Sequence, residues 1–205
     1  MKTYFRIALA LSVLTFFAFT TPLEKKKNII TVVIDVSHGG SDAGMQHDHL
    51  AEKDLVRQIA AKMEALNSDA NIQLHFTRRS DENIPLHHRV GYINSLEPDM
   101  VLSLHINANE KSEASGVSVF YSDNSSHKTQ SKSFADTISS LFEAEGLFSA
   151  ATAKTAPFYI LKNSQAPAVL VELGYLTNAD DREKLINSEI QEAIAKTLLL
   201  AIDQN

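Results

Sequence analysis

The sequence predicts a single α/β domain with a twisted, mostly parallel sheet of about six strands flanked by helices. The first supporting observation is that apolar, β-branched runs alternate along the chain with segments whose apolar residues recur at helical spacing. This alternation is typical of a sheet covered by helices. The second is size: 205 residues, 44% of them hydrophobic, suffice for one well-buried domain. Two ordinary domains would need a longer chain.

The predicted domain begins with a buried strand over residues 29–36, IITVVIDV. A helix over 51–66 follows, because its apolar residues from Leu55 to Met63 share one face. The other strands are predicted at short apolar runs: 72–77, 99–105, 116–121, 157–161 and 167–173. The polar stretch 123–132 is predicted to be a loop. The other helices are predicted over 86–96, through Phe134, Ile138, Leu141 and Phe142, and over 178–203 with a break near Asn187–Ser188.

The N-terminal residues have the composition of a secretory signal peptide. Two cations precede an apolar run over 7–19, which is shorter than the ~20 residues that span a bilayer. We therefore predict a signal peptide over 1–20, a short tether over 21–28 and the domain over 29–205. The protein is then exported to the periplasm or the cell-wall compartment, with no stable membrane span after cleavage. An uncleaved anchor is the alternative, because no clean cleavage site follows the apolar run.

Charge and composition exclude several classes of function. The formal net charge is −6, and loss of Lys2 and Arg6 with the signal peptide would take it to −8. A nucleic-acid partner is therefore not expected. The chain contains no cysteine, which excludes disulfides, thiolate ligands and a thiol nucleophile. Any metal ion must therefore be bound by His, Asp or Glu. We also expect the protein to be a monomer.

Three predicted strands end in side chains that can carry chemistry: His38, His105 and Glu172. Ligand sites in open α/β sheets collect at the carboxyl ends of the strands, so these side chains are expected to converge. Glu52 is expected to join them from a helix, because it lies three residues before Leu55 on the apolar face. A buried carboxylate is costly without a cation or strong hydrogen-bond donors.

Each of these residues also has a structural explanation. Glu52 could stabilise the positive end of its helix, Glu172 could form a salt bridge, and a lone His is more often structural. His47 and His49 are rival ligands, because they lie in the same loop as His38. Taken together, two imidazoles and one carboxylate with a position left for water match the open site of a catalytic zinc ion. A second carboxylate beside it could act as general base and then acid.

Five motifs, in order along the chain, resemble the zinc-dependent N-acetylmuramoyl-L-alanine amidases, whose catalytic domain is often called Amidase 3. They are VVIDVSHGGSDAG (32–44), AEKDL (51–55), TRRSDENIPLHHRVGYIN (77–94), SLHINAN (103–109) and PAVLVELGYLTN (167–178). The resemblance implies that His38, Glu52 and His105 bind one Zn²⁺ ion and that Glu172 is the essential glutamate that does not bind it. It also implies cleavage of the amide between N-acetylmuramic acid and L-alanine in peptidoglycan, for wall remodelling or daughter-cell separation.

Two other functions remain open from the sequence. A glycosidase could use Glu52 and Glu172 as paired carboxylates, and such an enzyme should be insensitive to a chelator. A peptidoglycan-binding protein could have kept the same scaffold and lost activity. A digestion assay distinguishes an inactive binding protein, which releases nothing from peptidoglycan, from an active enzyme.

Two further expectations concern the surroundings of the site. Some members of the family carry a helical insertion that blocks the active site. Only a few residues separate Asn107 from the strand that begins at Gly116, so we predict no such insertion there. Arg78, Asp81 and Arg89 could contact the substrate, but an ion-pair network that fixes a loop is the preferred interpretation.

Overall fold

The computed structural model describes residues 29–205, so the predicted signal peptide (1–20) and tether (21–28) lie outside the described residues. The described strands are β1 (Ile30–Val36), β2 (Gln46–His47), β3 (Leu50–Ala51), β4 (Ile72–Phe76), β5 (Met100–Asn107), β6 (Val117–Tyr121), β7 (Ala151–Thr155) and β8 (Ala168–Tyr175). The described helices are α1 (Glu52–Leu66), α2 (Leu86–Ser95), α3 (Lys128–Glu145), α4 (Tyr159–Asn163), α5 (Ala179–Ile186) and α6 (Ser188–Asp203). None of these helices is long and apolar enough to cross a bilayer.

Six of these strands form one sheet in the order β4-β1-β5-β8-β6-β7. The pairs β1–β4, β1–β5, β5–β8 and β6–β7 are parallel, and β6 pairs with β8 in the antiparallel direction. The predicted fold class, a single α/β domain with a mostly parallel sheet, is confirmed. The two short strands β2 and β3 form a separate antiparallel hairpin.

Both faces of the sheet are covered, as is typical of parallel sheets. Helices α1, α3 and α6 pack on one face over the larger hydrophobic cluster, whereas α2 and α4 cover the central strands on the other face. Alternate residues of β1 therefore enter different layers: Val32 and Ile34 belong to the larger cluster, and Val33 belongs to the smaller one. This double burial explains why β1 is a nearly continuous apolar run.

The sixth strand is not the predicted one. The run 157–161 was predicted as a strand, but it leads into the short helix α4, whose Ile160 and Leu161 pack in the smaller cluster. A short apolar run does not distinguish a strand from a buried helical turn. The sheet is completed instead by β7, which the sequence did not predict because this edge strand, ATAKT, consists of small and polar residues.

The predicted loop over 123–132 is also wrong in part, because α3 already begins at Lys128. The first turn of α3 is polar and mostly exposed, and hydrophobic spacing does not reveal such a turn. One residue of this turn is buried, Ser131, whose hydroxyl accepts a hydrogen bond from the backbone N–H of Ala168 at 3.0 Å. This contact ties the start of α3 to β8.

Candidate active site

Three of the side chains singled out in the sequence lie together at the carboxyl edge of the sheet. His38 follows β1, His105 lies on β5 and Glu52 is the first residue of α1. Oε1 of Glu52 lies 3.1 Å from Nε2 of His38 and 3.0 Å from Nδ1 of His105. One possible ligand atom from each residue lies within 4.8 Å of the other two. The structure thus brings together two imidazoles and a carboxylate from three separate parts of the chain.

Glu52 is buried, with 2% of its surface exposed, and both of its oxygens have hydrogen-bond donors. The backbone N–H of Ile106 donates to Oε1 at 3.0 Å, and that of Met45 donates to Oε2 at 2.9 Å. Burial alone would raise the pKa of Glu52, but the hydrogen bonds and charges of His105 and His38 outweigh it and hold this pKa well below its usual range. The carboxylate is therefore charged and fixed in direction.

His38 is oriented by a second carboxylate. Its Nδ1 lies 2.9 Å from Oδ2 of Asp42, and this contact leaves Nε2 facing Glu52. Burial opposes protonation of His38, but Glu52 and Asp42 outweigh it and raise the pKa of His38 to about 8. A carboxylate on the far nitrogen of a metal-binding imidazole fixes the tautomer and the ring orientation. Asp42 is positioned to do this for His38.

Gly44 lies directly against this cluster, and its backbone has a φ of 65°. A Cβ atom there would lie 2.5 Å from Oε2 of Glu52 and 2.7 Å from Cδ2 of His38. Any other residue would collide with both side chains and would also strain the backbone. The close packing of the loop after β1 on α1 therefore requires glycine at this position.

Glu172 lies beside the cluster, on β8. It stands directly opposite His105 in the parallel pairing of β5 and β8. Its Oε2 is buried and has no hydrogen-bond partner among the described residues. Burial raises the pKa of Glu172 to about 7; His105 and His38 lower this pKa, and the charge of Glu52 raises it further. Glu172 forms no ion pair in the described part of the chain, so the salt-bridge interpretation of this residue has no support.

The chemistry and spacing of the His38, Glu52 and His105 donors fit a divalent metal ion. Zinc is bound by nitrogen and oxygen ligands at about 2.0–2.2 Å, and ligands in tetrahedral positions are then about 3.3 Å apart. The two distances from Oε1 of Glu52 to the imidazole nitrogens, 3.1 and 3.0 Å, are close to that separation. The rivals His47 and His49 lie on the β2–β3 hairpin, and within residues 29–205 neither joins the group.

Two buried arginines hold the loop that carries His38. Arg89 forms an ion pair with Asp35 at 2.9 Å, and its other terminal nitrogen donates to the backbone carbonyl of His38. Arg78 donates to the carbonyl of Ser37 at 2.7 Å. Each arginine is only 3% exposed, so both hold the loop from within the protein. The expected ion-pair network is present only in part, because Arg78 donates to backbone carbonyls and Asp81 pairs with Lys53 at 2.8 Å instead. The backbone of His38 has a φ of 55°, which is unusual for a residue with a side chain. The network of hydrogen bonds from the two arginines holds the backbone in this conformation.

Two carboxylates that support the site, Asp35 and Asp42, are not among the residues predicted from the sequence. Asp35 also accepts hydrogen bonds from the hydroxyls of Ser103 at 2.7 Å and Thr77 at 2.9 Å. A charged residue inside the apolar run of β1 is itself a signal that could have identified Asp35. The spacing of Asp42, four residues after His38, is a weaker signal because the loop between them has no regular period.

Replacing Arg89 by Met is expected to lower the free energy of unfolding by about 3–5 kcal/mol. The substitution would leave the buried carboxyl group of Asp35 without its ion-pair partner, which is strongly destabilising. Urea denaturation measures the loss. The matched control is Arg79→Met, because Arg79 pairs with Glu64 on the surface at 3.0 Å, where a pair contributes less than about 1 kcal/mol. Equal losses in the two variants would contradict the assigned role of Arg89.

A cavity of about 400 Å³ opens next to the cluster and is lined by His38, His105 and Glu172 at one end. From there it extends between the N-terminal ends of α2 and α4. Its lining in that part is mainly apolar, with Ile84, Pro85, Leu86, Phe158, Tyr159 and Ile160 beside the polar Asn83. A concave site with apolar walls and a few converging polar groups is typical of a ligand-binding site.

Comparisons with known proteins relate this chain to cell-wall amidases. A model of the N-acetylmuramoyl-L-alanine amidase family matches residues 32–204. The chain is 32% identical over 169 residues to the N-acetylmuramoyl-L-alanine amidase LytC of Bacillus subtilis. It is 30% identical over 184 residues to the probable cell wall amidase LytH of Staphylococcus saprophyticus.

These two matches cover 82% and 86% of this chain, but the chain spans only 34% of LytC and 58% of LytH. Among solved structures, the fold matches the catalytic domain of CwlV, an N-acetylmuramoyl-L-alanine amidase from Bacillus (Paenibacillus) polymyxa var. colistinus. The TM-score is 0.79 at 26% identity, with 85% of this chain and 97% of that domain covered. The similarity thus extends over nearly the whole described domain.

Proposed function

The chain belongs to the N-acetylmuramoyl-L-alanine amidase family, and we propose that it hydrolyses the amide between N-acetylmuramic acid and L-alanine in peptidoglycan. The observation that carries this proposal is the pairing of a two-histidine, one-carboxylate donor set with Glu172, a buried carboxyl that has no structural partner in the described chain. The names of LytC and LytH support a cell-wall substrate. The donor set supports zinc, because the chain lacks cysteine and zinc is commonly held by His and Glu.

Each residue of the site has a proposed role. His38, Glu52 and His105 bind the ion, Asp42 orients His38, and Gly44 allows the loop to approach Glu52. A divalent ion held by these three side chains would supply Lewis acidity for the substrate carbonyl and would lower the pKa of a bound water.

Glu172 moves the protons of the reaction. It accepts a proton from the attacking water and transfers it to the nitrogen of L-alanine as the C–N bond breaks. The products are the free lactyl carboxylate and a peptide with a free amino terminus. A pKa of about 7 suits this exchange, because near neutral pH such a carboxyl can both accept and donate a proton.

The glycosidase alternative is disfavoured by the surroundings of Glu52. A glycosidase needs two carboxyl groups free to act on either side of a glycosidic bond. Here the oxygens of Glu52 are bound by two imidazoles and two backbone N–H groups. Only Glu172 of the two glutamates is free for proton transfer.

We further propose that the protein acts outside the cytoplasm as a monomer, in wall remodelling or daughter-cell separation. Export is supported by the signal-like composition of residues 1–20 and by the naming of LytH as a cell wall amidase.

Digestion of purified peptidoglycan with and without a chelator tests the proposed activity. Mass analysis is expected to find stem peptides that begin with a free L-alanine amino group. The chelator is expected to abolish their release, and added Zn²⁺ to restore it. New reducing sugars that form despite the chelator would show a glycosidase instead. A zinc-loaded protein that binds peptidoglycan but releases nothing would show a binding protein.

A further inference from the structure

One hydroxyl group of the cavity lining has no partner in the described fold. Four buried side-chain nitrogen or oxygen atoms in residues 29–205 lack a hydrogen-bond partner. Two of them, Oγ of Ser37 and Oε2 of Glu172, belong to residues that line the cavity. Glu172 already has a proposed role in the reaction. A buried hydroxyl without a partner also costs free energy, so Ser37 calls for an explanation of its own.

The neighbours of Ser37 do not supply this explanation. The buried carboxylate of Asp35 lies two residues earlier in the chain, but it already accepts hydrogen bonds from the hydroxyls of Ser103 and Thr77. Arg78 binds the backbone carbonyl of Ser37 at 2.7 Å, so the backbone is held while the hydroxyl is not. Rotation about the Cα–Cβ bond moves a serine hydroxyl between staggered positions without moving the backbone. An acceptor that enters the cavity can therefore draw this hydroxyl into a hydrogen bond.

Ser37 lies at one end of a row of residues that crosses three parallel strands. Val36 of β1 is paired with Leu104 of β5, so Ser37, the next residue of the chain, lies beside His105. His105 in turn stands opposite Glu172 of β8. Neighbouring strands are about 4.8 Å apart. Ser37 and Glu172 therefore lie on opposite sides of His105, each about one strand spacing away from it.

The proposed reaction determines which half of the substrate faces Ser37. Glu172 transfers a proton to the nitrogen of L-alanine, so this nitrogen and the peptide behind it lie toward Glu172. The lactyl group on the other side of the cut bond, together with its sugar, then extends toward Ser37. The strongest neutral hydrogen-bond acceptor on this half is the carbonyl oxygen of the acetamido group of the sugar. The methyl group of the same acetamido group suits the apolar lining at Pro85 and Leu86.

We propose that the hydroxyl of Ser37 donates a hydrogen bond to the acetamido group of the sugar, so that the enzyme prefers N-acetylated muramoyl peptides. This inference rests on the amidase function proposed above. The hydrogen bond forms only when the substrate is bound, and it then satisfies the hydroxyl that is unpaired in the free enzyme. Ser37 thus determines specificity by contacting a part of the substrate that is not cut.

Two muramoyl peptides with the same stem test this proposal, one with the acetamido group and the other with a hydroxyl in its place. Ser37→Ala is expected to lower kcat/KM about fivefold on the acetamido substrate, the usual contribution of a hydrogen bond between neutral groups. The same variant should cut the analogue as well as the wild type does. The matched control is Ser139→Ala, which removes another buried hydroxyl without a partner, on α3. This control should keep the full preference for the acetamido substrate.

Thermal unfolding and zinc titration show whether Ser37→Ala acts through the substrate. Because neither hydroxyl has a partner in the described chain, both serine variants are expected to be at least as stable as the wild type and to bind zinc equally well. An equal loss of kcat/KM on both substrates, or a loss of zinc affinity, would mean that Ser37 only supports the His38 loop, and it would overturn the proposal. An unchanged preference in Ser37→Ala would overturn it too. Failure of the zinc-loaded wild type to cut either substrate would instead contradict the amidase function itself.

Discussion

Glu172→Gln is expected to lower kcat on peptidoglycan by about 10²–10⁴-fold, the usual contribution of a general acid–base residue. Glutamine fills the same space but cannot accept the proton of the attacking water. The bound metal and the fold should be unaffected, because no described hydrogen bond or ion pair depends on the Glu172 side chain. Release of stem peptides measures turnover, and metal analysis of the purified variant measures occupancy.

The thermal stability of the same variant gives an independent check. Because burial raises the pKa of Glu172 from 4.5 to about 7, the native state resists its ionisation, and the cost appears as the pH rises through this range. Glu172→Gln removes that cost, so at pH 8 the metal-free variant is expected to be at least as stable as the metal-free wild type. The control is Glu145→Gln, because Glu145 is exposed at the end of α3. This change should alter neither turnover nor thermal stability. Full turnover by Glu172→Gln would refute the proton-transfer role.

His105→Ala is expected to weaken metal binding by more than about 100-fold and to abolish activity at low zinc concentrations. Loss of a group that merely orients a ligand already costs about 10–100-fold in affinity, and this change removes a proposed ligand itself. Titration of the metal-stripped protein with Zn²⁺ measures the affinity directly, without reference to turnover.

His49→Ala is the matched control for this experiment. His49 is exposed on the β2–β3 hairpin, in the same segment of chain as His38. Unaltered zinc affinity in His49→Ala together with a large loss in His105→Ala supports the assigned ligand set. The reverse result would show that the hairpin, rather than β5, supplies the second imidazole.

The parts of the fold that could be predicted are those whose residues are almost all buried and therefore apolar. Strands β1, β5 and β8 are covered on both faces, so their apolar runs are unmistakable, and the polar side chain at the end of each run marks the site. Edge strand β7 and helix α4 were not predictable in this way. The first exposes small polar residues, and the second is a short apolar run whose conformation depends on packing against α2 and β8.

The side chains that orient the proposed metal ligands could not be predicted from the spacing of residues along the sequence either. Asp42 contacts His38 only because the intervening loop turns back on itself, with a pair of backbone hydrogen bonds between Gly39 and Asp42. His47 and His49 could not be set aside from the sequence for the same reason. The path of the loop, rather than the residue types in it, decides which histidine faces Glu52.

The arginine network determines how the protein should respond to loss of its metal. Arg78 and Arg89 together donate hydrogen bonds to the backbone carbonyls of Val36, Ser37 and His38, so protein groups alone hold the His38 loop in shape. In zinc fingers, by contrast, the unloaded chain unfolds and binding energy is spent on folding. Here the apoprotein is expected to remain folded and to regain the ion reversibly.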